Sequence, residues 1–106
     1  MLLIRGEFVI EIVNIHTCKD FGTRPGDIAV HRGTKWGNPF HISSTMSREQ
    51  ACAEYEPWII DQLAEGKLNI DEITHARRLG CWCAPLKCHA ESLRTLIELN
   101  RKGCMI

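Results

Sequence analysis

The sequence predicts a small α/β domain with a short, mainly parallel sheet flanked by helices. Residues 8–15 (FVIEIVNI) form an apolar, β-branched run, two later segments show helical spacing of apolar residues, and short strand patterns alternate with them. The continuous apolar character of residues 8–15 is typical of a strand buried on both faces of a sheet. The chain has 106 residues and is expected to form a single domain, residues 1–106.

Two shorter strands and a long helix follow. Residues 27–31 and 79–83 have the length and composition of strands. Between them, apolar side chains recur at helical spacing. This helix is expected to begin at Ser47, which is placed to form a capping box with Gln50, and to end at Gly66.

Three further features complete the predicted secondary structure. Pro57 lies inside the long helix and is expected to kink or restart it, since proline lacks an N–H group. Asn69 and Glu72 repeat the capping pattern and predict a short helix. Residues 89–102 predict the last helix, so residues 81–89 form a cysteine–histidine loop between the last strand and that helix. One face of the last helix is apolar, with Ala90, Leu93, Leu96 and Ile97.

Composition limits the classes of function. Thirteen Lys and Arg residues balance thirteen Asp and Glu residues, which argues against binding nucleic acid by bulk electrostatic attraction. No apolar run approaches the roughly 20 residues of a membrane helix, and no signal-peptide pattern is present. Clustering of three of the six cysteines indicates a reducing compartment rather than a disulfide scaffold. The protein is therefore expected in the cytoplasm, which is the host cytoplasm if a phage encodes it.

The segment CWCAPLKCH combines these three cysteines with a histidine. Cys81 and Cys83 are two residues apart on a predicted strand end, so they are expected to share a face, with Trp82 directed toward the core. Cys88 and His89 are expected to open the last helix, whose N-terminal N–H groups favour a thiolate. The segment therefore lies where open α/β sheets usually bind ligands, beyond the carboxyl ends of the strands.

Three interpretations of this loop remain open. The first is a zinc site, because thiolates and imidazoles are the usual zinc ligands, although the spacing differs from paired C-x2-C knuckles. The second is nucleophilic or acid–base catalysis by a thiolate together with the histidine. The third is a structural role for the cysteines as small buried hydrophobic residues. The predicted metal ligands are Cys81, Cys83, Cys88 and His89. A missing ligand could come from His16, Cys18, His31 or His41.

The segment RGTKWGNPF, which begins at Arg32, is the second candidate for function. The amide of Asn38 can pair with the edge of a base. Trp36 and Phe40 can stack on a planar ring, and Arg32 or Lys35 can contact a phosphate. These five side chains are the predicted substrate-binding residues. The alternative is a structural turn with its aromatic side chains in the core, because Gly-Asn-Pro is a common turn sequence.

Taken together, the two segments resemble an uncharacterised domain family common in bacteriophages and their hosts. The resemblance covers about residues 9–97. It is carried by Val13-Asn14, Arg32-Gly33, residues 36–40 (WGNPF), residues 47–51 (SREQA), Tyr55, Trp58 and residues 79–89 (LGCWCAPLKCH).

This resemblance implies an enzyme of nucleobase or DNA modification, and in particular methyl transfer to a 7-deazaguanine-type base in DNA. In such an enzyme the cysteine–histidine loop would hold zinc, S-adenosylmethionine would be the donor if the reaction is methyl transfer, and a nucleotide or DNA base would be the substrate. His89 and Asn38 are the predicted catalytic residues. A glycine-rich loop for the donor is not visible in the sequence. Two alternatives are a non-catalytic, zinc-stabilised binding module for a host protein or nucleic acid, and a metal-free thiol enzyme acting on nucleotides.

Overall fold

The computed structural model describes residues 9–84 and 86–103, and it contains a sheet of three parallel strands with two helices. The strands are β1 (Glu11–Asn14), β2 (Asp27–Ala29) and β3 (Arg78–Cys81). Their order across the sheet is β1-β3-β2, and both pairings are parallel. The predicted α/β class with a short parallel sheet is therefore confirmed.

The strand at the centre of the sheet is β3, and all four of its residues are buried. The prediction that residues 8–15 form a strand buried on both faces is wrong for the described part, because β1 is an edge strand with an exposed or half-buried surface. Phe8 lies outside the described residues. Gly80 permits close packing on β3, since a Cβ atom there would lie 2.5 Å from Cζ of Phe21 and 2.7 Å from Cγ1 of Ile15.

Helix α1 (Arg48–Ala64) begins and ends as predicted. The Ser47 hydroxyl accepts from the Gln50 N–H at 3.1 Å, and the Gln50 side chain accepts from the Ser47 N–H at 2.9 Å. Gly66 follows the helix with a φ of 76°, a conformation that favours glycine. The helix continues through Pro57 without restarting. Proline has no N–H to donate to the carbonyl four residues earlier, and because Pro57 lies on an exposed face, that carbonyl is not buried in the core.

The last helix, α2 (Ala90–Arg101), follows a 3-10 turn, Ile70–Glu72, and strand β3. His89 occupies its N-cap position but makes no side-chain capping hydrogen bond. Its predicted apolar face is confirmed, because Ala90, Leu93, Leu96 and Ile97 are all buried. These side chains share one core with Leu79, Tyr55 and Ile59, which places α2 against the central strand and α1. None of the helices in the described part of the chain is long and apolar enough to cross a membrane.

Candidate active site

The carboxyl ends of the three parallel strands meet at one edge of the sheet. β1 ends at Asn14, β2 leads into Val30 and His31, and β3 ends at Cys81. The N-terminus of α2, preceded by Cys88, lies at the same edge because the Cys88 thiol contacts Cys81. This is the position at which open α/β sheets bind their ligands.

Cys81 and Cys88 form a buried thiol pair at this edge. The Cys88 thiol and the backbone N–H groups of Cys83 and Ala84 lie near enough to the Cys81 sulfur to act on its ionisation. Mainly through the Cys88 thiol, the pKa of Cys81 is lowered. The interaction with Cys81, together with burial, raises the pKa of Cys88 far above its ordinary value. The two opposite shifts favour a pair that shares one proton, with the negative charge favoured on Cys81.

His89 is buried beside this pair and is fixed through both nitrogens of its ring. Nε2 lies 2.5 Å from the carbonyl oxygen of Val30, and Nδ1 lies 3.4 Å from Sγ of Cys88. A carbonyl can only accept, so Nε2 carries the hydrogen and the lone pair of Nδ1 faces the thiol. Burial lowers the pKa of His89, which favours the neutral imidazole, with its Nδ1 lone pair available as a hydrogen-bond acceptor for the Cys88 thiol.

Trp82 does not enter the core as predicted, because 47% of its surface is exposed. The strand ends at Cys81, so side-chain alternation along β3 does not continue to Trp82 or to the half-buried Cys83. The indole stacks with the imidazole of His31 at a centroid distance of 4.4 Å and 13° between planes. The imidazole of His16 also stacks with it, at 5.8 Å and 28°. Three rings therefore line the edge of the sheet beside the thiol pair.

Asn14 joins the end of β1 to the loop after β3. Its side-chain N–H donates to the carbonyl of Trp82 at 3.3 Å and to that of Ala84 at 3.0 Å. Its side-chain oxygen accepts from the backbone N–H of His16 at 2.8 Å. One amide thus positions the backbone that carries two of the three stacked rings.

The predicted substrate-binding loop makes mainly internal contacts. Asn38 is buried, where its side chain donates to the Ala51 carbonyl at 2.9 Å and accepts from the Phe40 N–H at 2.8 Å. The Arg32 guanidinium donates to the carbonyls of Asn38 and Phe40, the latter at 2.7 Å. The base-reading role of Asn38 stays a prediction, since its amide is engaged within the protein.

Two other residues of that loop, Trp36 and Lys35, also make contacts within the protein. Trp36 is buried in the core, and its carbonyl accepts from the Tyr55 hydroxyl at 2.6 Å. Lys35 forms an ion pair with Glu72, and its ammonium lies 5.9 Å from the Trp36 ring centroid. The structure therefore brings Cys81, Cys88 and His89 together. It places Arg32 near enough to His89 to contribute to the lowering of its pKa.

The predicted zinc ligands are not arranged as a tetrahedral set. Within residues 9–84 and 86–103, no group of three or more His, Cys, Asp or Glu side chains is placed to hold a metal ion. Both His89 nitrogens are engaged, one by Val30 and the other by Cys88. These residues in this arrangement do not fit zinc, and the zinc site stays a prediction.

A polar groove of about 330 Å³ runs between α1 and α2 and reaches Cys88 from outside. Cys52, Lys87, Cys88 and Glu91 are among its lining residues. Burial raises the pKa of the Cys52 thiol, so Cys52 remains protonated where Cys81 is ionised. The groove therefore gives solvent and small molecules a route to Cys88.

Sequence reasoning missed Asn14, Trp82 and the stacking role of His16 and His31. The two histidines were considered only as replacement zinc ligands. A signal was available, because His16 follows one predicted strand and His31 ends another, and parallel strands bring such positions to one edge. The contact of Asn14 with a loop 70 residues away has no local signal.

The fold and site define a small α/β protein with a thiol–imidazole cluster and stacked rings at the carboxyl edge of a parallel sheet. The chain belongs to the DUF4326 family, described as a domain of unknown function, whose model matches residues 13–99. It is similar to a protein of Enterobacteria phage T4, described as an uncharacterized 12.4 kDa protein in the nrdA-td intergenic region. The two are 32% identical over 74 residues, which cover 68% of each chain. No solved structure matches the chain.

Proposed function

We propose that the protein is a thiol-dependent enzyme that modifies a nucleobase, either free or in DNA. The observation that carries this proposal is the arrangement of Cys81, Cys88 and His89 at the carboxyl edge of the sheet. A thiolate, a thiol and a neutral imidazole in contact are the groups that nucleophilic and acid–base catalysis require. The phage relative supports a role in the phage setting.

The three side chains divide the chemistry between them. The Cys81 thiolate attacks an electrophilic ring carbon, forming a sulfur–carbon bond while the ring π bond to nitrogen opens. The electron pair moves to that nitrogen, which takes the proton of Cys88. Once the base is modified, the sulfur–carbon bond breaks, its electron pair returns to the Cys81 sulfur, the ring π bond re-forms, and the ring nitrogen returns its proton to Cys88, which faces His89 Nδ1 at 3.4 Å. Because Cys81 is fully buried, attack requires Trp82 and Cys83, which follow it, to move aside.

The surroundings of the two sulfurs support these roles. The Cys88 thiol and the backbone N–H groups of Cys83 and Ala84 lower the pKa of Cys81, which favours an anion on its sulfur. The contact with Cys81 and burial raise the pKa of Cys88 and outweigh the N–H of Ala90 at the start of α2, which lowers it. Cys88 therefore keeps its proton until a ring nitrogen becomes basic enough to take it.

The specific reaction that the family resemblance implies is methyl transfer to a 7-deazaguanine-type base. In that reaction S-adenosylmethionine would supply the methyl group, and the residues described above would bind the base and handle its proton. The substrate is a base in DNA or a free nucleotide, and the test below measures both.

The test compares nucleosides from cells or phage that carry the wild-type gene, a Cys81→Ser variant or a Cys52→Ser variant. DNA and free nucleotides are digested and analysed by mass spectrometry. A nucleoside that depends on the wild-type gene is expected to persist with Cys52→Ser and to be absent with Cys81→Ser. Circular dichroism verifies that both variants fold. An unchanged nucleoside profile with folded Cys81→Ser protein contradicts the proposal.

A further inference from the structure

An exposed aromatic surface lies directly beside the thiol pair. Trp82 keeps 47% of its surface exposed, although two imidazoles already stack with it. The exposed part of the indole is apolar area, and its burial against a ligand would be favourable. The exposed area of the indole can therefore accept another planar ring.

The rings on this surface are held in place before any ligand arrives. Asn14 anchors the Trp82 carbonyl at 3.3 Å, and Nδ1 of His31 lies 2.6 Å from the Arg32 carbonyl. The close packing of Gly37 limits movement of His31, because a Cβ on Gly37 would lie 2.6 Å from the His31 carbonyl oxygen. A preorganised surface loses little conformational entropy on binding, which favours affinity.

The chemistry of the rings selects the ligand. Indole and imidazole faces bind planar heterocycles by stacking, and every nucleobase offers such a face. Because Nδ1 of His31 donates to a carbonyl, Nε2 of the neutral ring presents a lone pair that can accept an N–H from a base. A purine-sized ring is preferred to a pyrimidine because it covers more of the indole.

The surface is close enough to the thiols to hold a base for reaction. Trp82 is the neighbour of Cys81 in the chain, and His31 is near enough to Cys81 to interact with its thiol. His31 thus contacts the indole on one side and influences the nucleophile on the other.

We infer that Trp82 and His31 form a stacking platform that binds a purine-sized nucleobase next to Cys81, with His31 Nε2 as hydrogen-bond acceptor. This inference rests on the proposed function, since it names the substrate class of the same site. His16 forms the exposed side of the platform and stacks with Trp82 at the greater distance.

Isothermal titration calorimetry with guanosine monophosphate and ribose 5-phosphate tests the platform. The nucleotide is expected to bind the wild-type protein, and the sugar phosphate without a base is not. Trp82→Ala is expected to weaken nucleotide binding roughly tenfold or more, and Trp82→Phe less, because phenylalanine keeps a smaller ring. Leu86→Ala is the matched control: Leu86 is also exposed and apolar in this loop, but it carries no ring.

Three results would overturn the platform: no binding of the nucleotide to the wild-type protein, equal binding of the sugar phosphate, or equal losses with Trp82→Ala and Leu86→Ala. The nucleoside test separates the two proposals. If nucleotide binding depends on Trp82 but Cys81→Ser leaves the nucleoside profile unchanged, the stacking platform is supported and the proposed enzymatic function is contradicted. If the nucleoside profile depends on Cys81 but nucleotide binding does not depend on Trp82, the proposed enzymatic function is supported and the stacking platform is contradicted.

Discussion

The side-chain N–H of Asn14 donates to the carbonyl of Ala84 at 3.0 Å, across 70 residues of sequence. This contact fixes the loop after β3 to the end of β1, and its second bond, to Trp82, holds the exposed indole. The architecture of the candidate site therefore depends on an edge strand as well as on the central strand. Asn14 is a positioning residue, since it touches the loop and not the thiols.

Replacing Asn14 with alanine is expected to lower the free energy of unfolding by about 1–2 kcal/mol, because three partly exposed hydrogen bonds are lost. Urea denaturation measures this change. Asn100→Ala is the control, since Asn100 makes one exposed side-chain bond, to Asp71 at 3.3 Å. Asn14→Ala is also expected to increase proteolysis near Trp82. Equal stability losses in the two variants would show that Asn14 has no special role.

Asn38→Ala is expected to lower the free energy of unfolding by about 3 kcal/mol, since it leaves the Ala51 carbonyl and the Phe40 N–H without their partner. Thermal and urea unfolding measure the loss. The structural explanation predicts that nucleotide binding by the folded fraction is nearly unchanged. If the folded variant instead loses binding while keeping wild-type stability, Asn38 contacts the base directly, as the sequence predicts.

Local signals were sufficient for the helices but not for the site. The capping box of Ser47 with Gln50 and the positive φ of Gly66 depend on neighbouring residues, so the bounds of α1 could be predicted. Strand order depends on contacts far apart in sequence, and an apolar run does not reveal whether β1 is central or at an edge.

The placement of Trp82 could not be predicted for a related reason. Alternation along a strand predicts which side chains are buried only while the strand continues, and β3 ends one residue earlier. The thiols were recognisable because cysteines are rare and clustered, whereas the pairing of Cys81 with Cys88 depends on how the loop folds back. The clustered cysteines in the sequence therefore indicated which residues are reactive, whereas the spatial arrangement of these residues depends on the fold.

Chelation distinguishes the thiol enzyme from a zinc-stabilised binding module. For the thiol enzyme, we expect treatment with EDTA to leave the melting temperature and circular dichroism spectrum unchanged, because folding requires no ion. Metal analysis of the purified protein is the accompanying measurement. About one zinc per chain, lost together with the folded structure on chelation, would contradict this expectation and support the binding module.

The acid stability of the fold is expected to depend on Asp27. Arg78 donates to both carboxylate oxygens of Asp27 at 2.8 Å, and the Asp27 side chain is only 1% exposed. These hydrogen bonds from Arg78 are the main reason that the pKa of Asp27 lies well below its ordinary value. At low pH the unfolded chain therefore binds a proton before the folded protein does. The contribution of Asp27 is complete above its unfolded pKa of about 3.9 and is lost as pH falls toward the folded pKa.

Unfolding by urea from about pH 6 to about pH 3 measures this contribution, because stability follows the difference in bound protons. Asp27→Asn is expected to be less stable than the wild-type protein at neutral pH and to lose less stability on acidification. Asp61→Asn is the matched control, since Asp61 is exposed on α1 and should leave the acid dependence unchanged. Parallel acid profiles for the wild-type protein and Asp27→Asn would show that the Asp27–Arg78 pair does not govern acid stability.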